Sequence, residues 1–150
     1  MERFMLEALK QAEIAKNKDE VPVGCVIVRN TDNEIIARGY NQRISKSDAT
    51  MHAEIVAIRK ACKKQKDWRL DDCTIYVTLE PCPMCAGAIL NARLKKVVYG
   101  AKDDKSGFFG GFMNIGDNGI LNHSIEIVSG VMENECKSII NDFFLKKRRK

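Results

Sequence analysis

Two short segments of the sequence carry residue types that could bind a metal ion: His52-Ala53-Glu54 and, downstream, Pro81-Cys82-Pro83-Met84-Cys85. One imidazole and two thiolates form a ligand set that suits zinc. Three protein ligands leave the fourth tetrahedral position open for water, which is typical of a catalytic zinc site. Glu54 follows the histidine by two residues and is better interpreted as a base beside the metal than as a ligand. We therefore predict a metal site with one Zn²⁺ per chain, bound by His52, Cys82 and Cys85, and Glu54 as the catalytic residue.

Each half of this signature is weak by itself, because Cys-x-x-Cys also marks redox sites and structural zinc sites. A structural zinc module would need a fourth protein ligand, for which Cys73 or Cys25 could be nominated. Glu54 argues against that alternative, since an inactive site has no use for a base. The two strings in this order favour a catalytic site.

The histidine segment must lie at the start of a helix. His52 and Glu54 are two residues apart, so in the middle of a helix they would point in nearly opposite directions. Asp48-Ala49-Thr50 offers capping residues for a helix that runs to about Lys64. We expect its buried stripe to consist of Ile55, Ile58 and Cys62.

The cysteine segment is predicted to start a second helix, which runs to about Ala92. Pro83 suits the first turn of a helix, where its missing N–H costs little. Cys82 and Cys85 are three residues apart and therefore share one face of that turn. Two helix N-termini would converge on the cation, and their positive ends favour the thiolate form of the cysteines.

The rest of the chain reads as an α/β domain. A first helix is predicted from Glu2 to about Lys16 and a last one from Glu133 to Lys147. Strands are predicted over Cys25–Val28, Ile35–Tyr40, Thr74–Leu79, Lys96–Tyr99 and Ile125–Val128. The first two form a hairpin, and the next two flank a helix, which implies a right-handed parallel crossover. No repeat or linker is visible, so we predict one domain over residues 1–150.

A long glycine-rich loop, Asp103 to Asn122, contains Phe108, Phe109 and Phe112. Loops of this length in compact domains are often functional. Its aromatic side chains could stack on bases, join a subunit interface or pack into the core, and the sequence pattern leaves these alternatives open.

Composition places the chain among reduced, intracellular proteins. Apolar runs are too short to span a bilayer, and acidic residues interrupt the N-terminal segment, so we expect neither membrane insertion nor export and a cytoplasmic location. In such a compartment the six cysteines are not expected to form disulfides. The net charge of +5, part of it in the tail Lys146-Lys147-Arg148-Arg149-Lys150, fits an anionic partner.

With this order of elements and these motifs, the chain resembles the cytidine deaminase-like superfamily, whose zinc nucleobase deaminases carry the His-x-Glu and Pro-Cys-x-x-Cys signature. Within it, nearly the whole chain resembles the bacterial tRNA-specific adenosine deaminases. The stretches that carry this resemblance are Glu20–Gly24, Tyr40-Asn41, Thr50–Glu54, Trp68–Leu70, Tyr76–Gly87, Val98–Ala101, Asn122-His123 and Asp142-Phe143-Phe144 with the basic tail.

The resemblance implies a three-layer α-β-α fold with a mixed five-stranded sheet, in a homodimer with sites near the subunit interface. It implies hydrolytic deamination of adenosine to inosine at the wobble position of a tRNA anticodon stem-loop. Zinc binding falls to His52, Cys82 and Cys85, and proton transfer to Glu54. The implied substrate-binding residues are Asn41, Ala53, Asp103 and Phe144, and the implied contacts with the RNA backbone are Lys105, Lys146, Lys147, Arg148 and Arg149.

Two positions depart from the family pattern. Cys25 stands where the family usually has alanine, and the loop Gly107 to Phe112 is more aromatic than usual. Two alternative functions remain open from the sequence: a deaminase of free guanine, cytosine or cytidine, and a non-catalytic RNA-binding subunit with structural zinc. A small-molecule enzyme would not need the basic tail or the aromatic loop.

Overall fold

The structure is a computed structural model that describes residues 1–116, 121 and 123–148. In chain order the helices are α1 (Glu2–Asn17), α2 (Ala53–Gln65), α3 (Pro83–Asn91) and α4 (Glu133–Arg148). The strands are β1 (Gly24–Arg29), β2 (Glu34–Tyr40), β3 (Cys73–Leu79), β4 (Lys96–Ala101) and β5 (Glu126–Val128). Most predicted elements are confirmed, with ends that differ from the prediction by one or two residues.

The five strands form one mixed sheet in the order β2-β1-β3-β4-β5. β1 pairs antiparallel with both β2 and β3, whereas β3, β4 and β5 are parallel. The predicted hairpin and the parallel crossover through α3 are therefore confirmed, as is the α/β class with a five-stranded mixed sheet.

Strand alternation divides the core between the two faces of the sheet. On β1, Cys25 and Ile27 join the larger cluster with the alanines of α2, while Val26 and Val28 join Phe4 and Met5 of α1. α2 and α3 thus cover one face, and α1 and α4 cover the other. This arrangement is the three-layer α-β-α architecture.

The prediction of the α2 start was wrong in one respect. Asp48 does not cap the helix; its Oδ1 accepts hydrogen bonds from the N–H and Oγ1 of Thr50 at 2.9 and 2.7 Å within a turn. The N-cap position is occupied by His52 itself, in extended conformation. Both residues of the histidine segment nevertheless lie at the helix start, as the two-residue spacing required.

The predicted buried stripe of α2 was also wrong. Ile55, Ile58 and Cys62 are only half-buried, whereas Ala53, Val56, Ala57 and Ala61 face the sheet. Alanines have no bulk beyond Cβ, so they let the helix backbone approach the strands closely. The larger apolar side chains are only partly covered, although Ile58 and Cys62 still pack against the edge of the core cluster.

Candidate metal centre and substrate pocket

Three side chains converge where α2 and α3 begin. His52 is the N-cap residue of α2 and Cys82 that of α3, while Cys85 lies in the first turn of α3. Nδ1 of His52 is 3.6 Å from Sγ of Cys82 and 3.5 Å from Sγ of Cys85. Among the described residues, this trio is the one group of three or more histidine, cysteine or acidic side chains close enough to share a metal ion.

The spacing of the three donor atoms fits zinc. Zinc–sulfur bonds of about 2.3 Å and zinc–nitrogen bonds of about 2.0–2.1 Å, at tetrahedral angles, separate nitrogen from sulfur by about 3.6 Å. The two nitrogen–sulfur separations in the structure match this value. Cys25 and Cys73, the nominated fourth ligands, do not belong to the cluster. The donors therefore form a three-ligand set of the catalytic kind.

The electrostatics of the cluster favour a cation. A hydrogen bond from the Cys85 thiol lowers the pKa of Cys82 to about 4, with His52 also contributing. The same contact raises the pKa of Cys85, and the hydrogen bond with Cys82 raises the pKa of His52. Negative charge thus concentrates on a sulfur atom at a helix N-terminus, as soft-metal binding requires.

Glu54 lies beside the trio and is 4% exposed. Burial raises the pKa of its carboxyl group to about 7, and the neighbouring Cys85 thiol is one of its hydrogen-bond partners. A carboxyl group with a pKa near neutrality can accept a proton and return it at physiological pH. Its position and its pKa are those expected of a general acid–base.

A cavity of about 700 Å³ opens above the metal-ligating trio and Glu54. This volume is within the usual range for a small-molecule or nucleoside site. Its lining includes Val21, Val23, Asn41 and Arg43 from the first part of the chain, and Leu79, Glu80 and residues 102–106 from the second. Ile140 and Phe144 of α4 complete the lining. We call this cavity the substrate pocket.

The four residues predicted to bind substrate, Asn41, Ala53, Asp103 and Phe144, all line the substrate pocket, as does Lys105. Asn41 is held in place: its Nδ2 donates to the Val21 carbonyl at 3.4 Å, and its Oδ1 accepts from the Arg43 N–H at 3.3 Å. That these residues bind substrate stays a prediction.

The basic tail divides in the structure. Lys146 and Arg148 are exposed on α4, whereas Nζ of Lys147 lies 2.7 Å from the carboxylate of Asp19. Arg149 and Lys150 lie outside the described residues, as does Asn122 of the predicted motifs.

The phenylalanines of the long loop differ in environment. Phe109 is 1% exposed and belongs to the core, and Phe108 packs partly against it. Phe112 is 60% exposed, with its ring 6.1 Å from that of Phe108. The core interpretation therefore holds for Phe109, while Phe112 remains available for contacts. Residues 117–120 of the loop are outside the described part.

The pocket residues that sequence reasoning missed include Arg43, Glu80 and Ile140. Arg43 follows Asn41 by two residues, and its proximity could have been inferred from that spacing. Glu80 directly precedes the metal-binding turn, but its carboxylate gave no signal, because its hydrogen-bond partners lie more than 20 residues away in the chain.

Comparison with known proteins places these features in a family. Residues 1–148 match the family described as MafB19-like deaminase. The chain is 48% identical over 149 residues to a "tRNA-specific adenosine deaminase" of Bacillus subtilis, covering 99% of this chain and 91% of that protein.

Two solved structures are also similar to this chain. One comes from work on A-to-I editing by tRNA:A34 deaminases at the wobble position of transfer RNA; it has a TM-score of 0.83 and 40% identity, over 91% of this chain and 98% of that one. The other is a guanine deaminase of Bacillus subtilis with a TM-score of 0.63 and 47% identity, over 67% of this chain and 63% of that one.

Proposed function

The chain belongs to the MafB19-like deaminases and, within them, to the tRNA-specific adenosine deaminases, and from this premise we propose that it hydrolyses adenosine to inosine at the wobble position of a tRNA anticodon. The observation that carries the proposal is the buried Glu54 beside three potential metal ligands, with Glu54, His52 and Cys82 lining the substrate pocket. A tRNA substrate would place this activity in the cytoplasm.

His52, Cys82 and Cys85 would hold one Zn²⁺. When bound, the ion supplies Lewis acidity, which makes water a nucleophile near neutral pH. A soft imidazole–thiolate set with the spacing described above selects zinc over the hard cations magnesium and calcium.

Glu54 would move the protons. Its carboxylate takes a proton from the attacking water and delivers it to N1 of the adenine ring while the oxygen adds to C6. It then helps protonate the exocyclic amino group, which leaves as ammonia, so that adenosine and water become inosine and ammonia. The raised pKa of Glu54 suits this double role, since the group must be basic in one step and acidic in the next.

The recessed position of the cluster requires the target base to leave its stack. Enzymes of this chemistry act on single-stranded or flipped-out nucleotides. An anticodon loop presents such bases. We propose that Asn41, Ala53, Asp103 and Phe144 contact the target nucleotide, and that Lys105, Lys146, Arg148 and Arg149 contact the phosphates around it. Lys147 would contribute less to phosphate binding, because its ammonium is paired with Asp19.

Mass analysis of tRNA nucleosides after incubation with the purified chain tests this function. We expect inosine to appear at the first anticodon position and no product from free guanine, cytosine or cytidine. Turnover of a free base or nucleoside with untouched tRNA would favour the alternative of a small-molecule deaminase. A metal held by four protein ligands, with no turnover, would favour a structural-zinc RNA-binding subunit.

We also propose a homodimer formed through the outer faces of α2 and α3. The half-buried stripe of Ile55, Ile58 and Cys62 lies on α2, and Met84 at the start of α3 is 37% exposed. An apolar face on two neighbouring helices is a typical subunit interface.

Light scattering should give a dimeric mass for the wild type and a monomeric mass for Ile58→Glu. A monomeric wild type would contradict this assembly.

No helix among the described residues is long and apolar enough to cross a membrane.

A further inference from the structure

Glu80 is a buried acidic residue with no part in the proton transfers described above. It is 2% exposed, and its carboxylate accepts three backbone hydrogen bonds from the segment after β4. The N–H of Asp103 donates to Oε1 at 2.9 Å, and the N–H groups of Phe109 and Gly111 donate to Oε2 at 3.0 and 2.8 Å. We call the segment from Asp103 to Gly111 the Glu80 loop.

Backbone contacts attach the same loop to the turn that carries Cys82. The N–H of Phe108 donates to the Pro81 carbonyl at 3.0 Å, and just before the loop the N–H of Glu80 donates to the carbonyl of Ala101, the last residue of β4, at 2.9 Å. Residues 80 and 81 thus hold the loop immediately before the first metal-binding cysteine.

Two glycines allow the Glu80 loop to wrap around the carboxylate. A Cβ at Gly107 would lie 2.2 Å from Cδ of Glu80, and a Cβ at Gly111 would lie 2.4 Å from Oε1. Real Cβ atoms do not approach so closely, so any larger residue would displace either the loop or the carboxylate. Glu80 and these glycines form one fitted unit.

The Glu80 loop carries polar side chains into the substrate pocket. Asp103, Asp104, Lys105 and Ser106 line it. Oδ1 of Asp103 accepts hydrogen bonds from the N–H groups of Lys105 and Ser106, both at 3.0 Å. The turn that presents these side chains is therefore built on Asp103, whose own N–H is bonded to Glu80.

We infer that Glu80 is a positioning residue for the RNA substrate. Its carboxylate fixes the polar side chains of the Glu80 loop at a set distance from the metal-binding turn, so that RNA meets a preorganised wall. This inference rests on the proposed function, since it concerns how that same pocket holds its substrate. The three hydrogen bonds described for the Glu80 carboxylate all go to this loop.

The direct test is Glu80→Gln, which keeps the size of the side chain but points an amide NH₂ group at backbone N–H donors. For an anticodon stem-loop RNA with adenosine at the first anticodon position, we expect KM to rise roughly 10- to 100-fold. The kcat and the zinc content should stay close to wild type. Glu13→Gln, on the exposed surface of α1, is the matched control and should leave KM unchanged.

The reciprocal variant is Gly107→Ala, which displaces the same contact from the loop side. It should reproduce the rise in KM, and the double variant should be less impaired than the product of the two single effects, because both changes break one unit. Independent, multiplying effects would overturn the idea of a shared unit.

A second measurement keeps the inference testable if these variants fold poorly or if the wild type makes no inosine. Stem-loop affinity, measured in a Glu54→Ala background, reports on binding without turnover, so a failed proposed function is distinguished from a failed role of Glu80. Hydrogen exchange of the Phe109 and Gly111 amides in the free wild type should be slow. Fast exchange, unchanged RNA affinity in the Glu80→Gln variant, or loss of its zinc would each overturn the assignment.

Discussion

Glu54 and Glu80 line the same pocket and are almost equally buried, at 4% and 2% exposed. They differ in their partners. Glu80 accepts three backbone N–H bonds from a surrounding loop. Glu54 lies against the metal-ligating trio, with its pKa raised to about 7 by burial. The backbone hydrogen bonds tie the Glu80 carboxylate to its loop, whereas the raised pKa of Glu54 prepares that carboxyl group to exchange a proton.

The comparison teaches that burial alone does not distinguish a chemical role from an architectural one. In both cases the side chain is held out of water, which is costly for a charged group unless it is compensated. For Glu80 that compensation comes from backbone N–H groups, whose positions are fixed by the fold. Glu54, in contrast, must gain and lose a proton during the reaction, and its raised pKa fits a group that changes its charge.

Removing the metal should give the largest difference between the region of Glu54 and the trio and the region of Glu80 and its loop. After chelation, we expect turnover to fall to background while affinity for the anticodon stem-loop is retained, since the hydrogen bonds described for the Glu80 loop come from Glu80 and Pro81 rather than from the trio. Cys82, which is half-buried, should become open to alkylation, and Zn²⁺ should protect it again. Mass spectrometry of the labelled protein and an inosine assay give both readings. Activity in a protein shown to be free of metal would contradict the whole account of the site.

Glu54→Ala should have the next largest effect. Loss of a general acid–base typically lowers kcat by about 10²- to 10⁴-fold. Zinc content and thermal unfolding should stay near those of the wild type, because Glu54 is no member of the ligand trio. Elemental analysis together with single-turnover kinetics makes this comparison. If the variant deaminates at a near wild-type rate, Glu54 is not the residue that transfers the protons.

Glu20→Gln tests whether backbone hydrogen-bond partners mark a buried glutamate as structural rather than chemical. Glu20 is 1% exposed and accepts bonds from the N–H groups of Ile44 and Ser45 at 3.1 and 2.7 Å, in the loop that leads to His52. By analogy with Glu80, we expect the free energy of unfolding to fall by about 1–3 kcal/mol, with kcat on the stem-loop unchanged. Denaturant unfolding and steady-state kinetics measure the two quantities. A fall in kcat as large as that of Glu54→Ala would place Glu20 in the chemical class instead.

The sequence predicted the parts of this molecule that local spacing determines. The two-residue interval between His52 and Glu54 required a helix start, and Pro83 marked the other one; both are confirmed. Strand alternation likewise indicated five strands and their order along the chain. These features depend on residues that are close in sequence, where periodicity carries information.

What the sequence could not predict depends on contacts between distant segments. The roles of Glu20 and Glu80 follow from backbone N–H groups that the fold brings to them across 23 to 31 positions. The buried stripe of α2 was misassigned because the sheet selects the small alanine face rather than the larger isoleucines. Neither the partners of the two glutamates nor the buried face of α2 can be predicted from the local sequence pattern, because both depend on segments that are distant in the chain.

The smallest expected effect concerns the basic tail, where the structure separates two neighbouring lysines. Lys146 is exposed, whereas the Lys147 ammonium contacts Asp19, a residue 128 positions away, and lies 5.5 Å from the centre of the Phe143 ring. If Lys146 neutralises a phosphate, Lys146→Ala should reduce the slope of log affinity against log salt by about 1. Lys147→Ala should change that slope less, because its charge is already compensated within the protein.

Asp19→Asn sharpens this last contrast. The substitution keeps a side chain that tolerates the left-handed backbone at this position, where φ is 61°. It frees the Lys147 ammonium, so stem-loop affinity should rise at low salt and the salt slope should become steeper. Titrations of the RNA with both variants across a salt series measure it. Because an exposed ion pair contributes only about 0–1 kcal/mol, folding stability should barely change. Equal slopes for Lys146→Ala and Lys147→Ala, with no effect of Asp19→Asn, would show that the ion pair does not hold Lys147 away from the RNA.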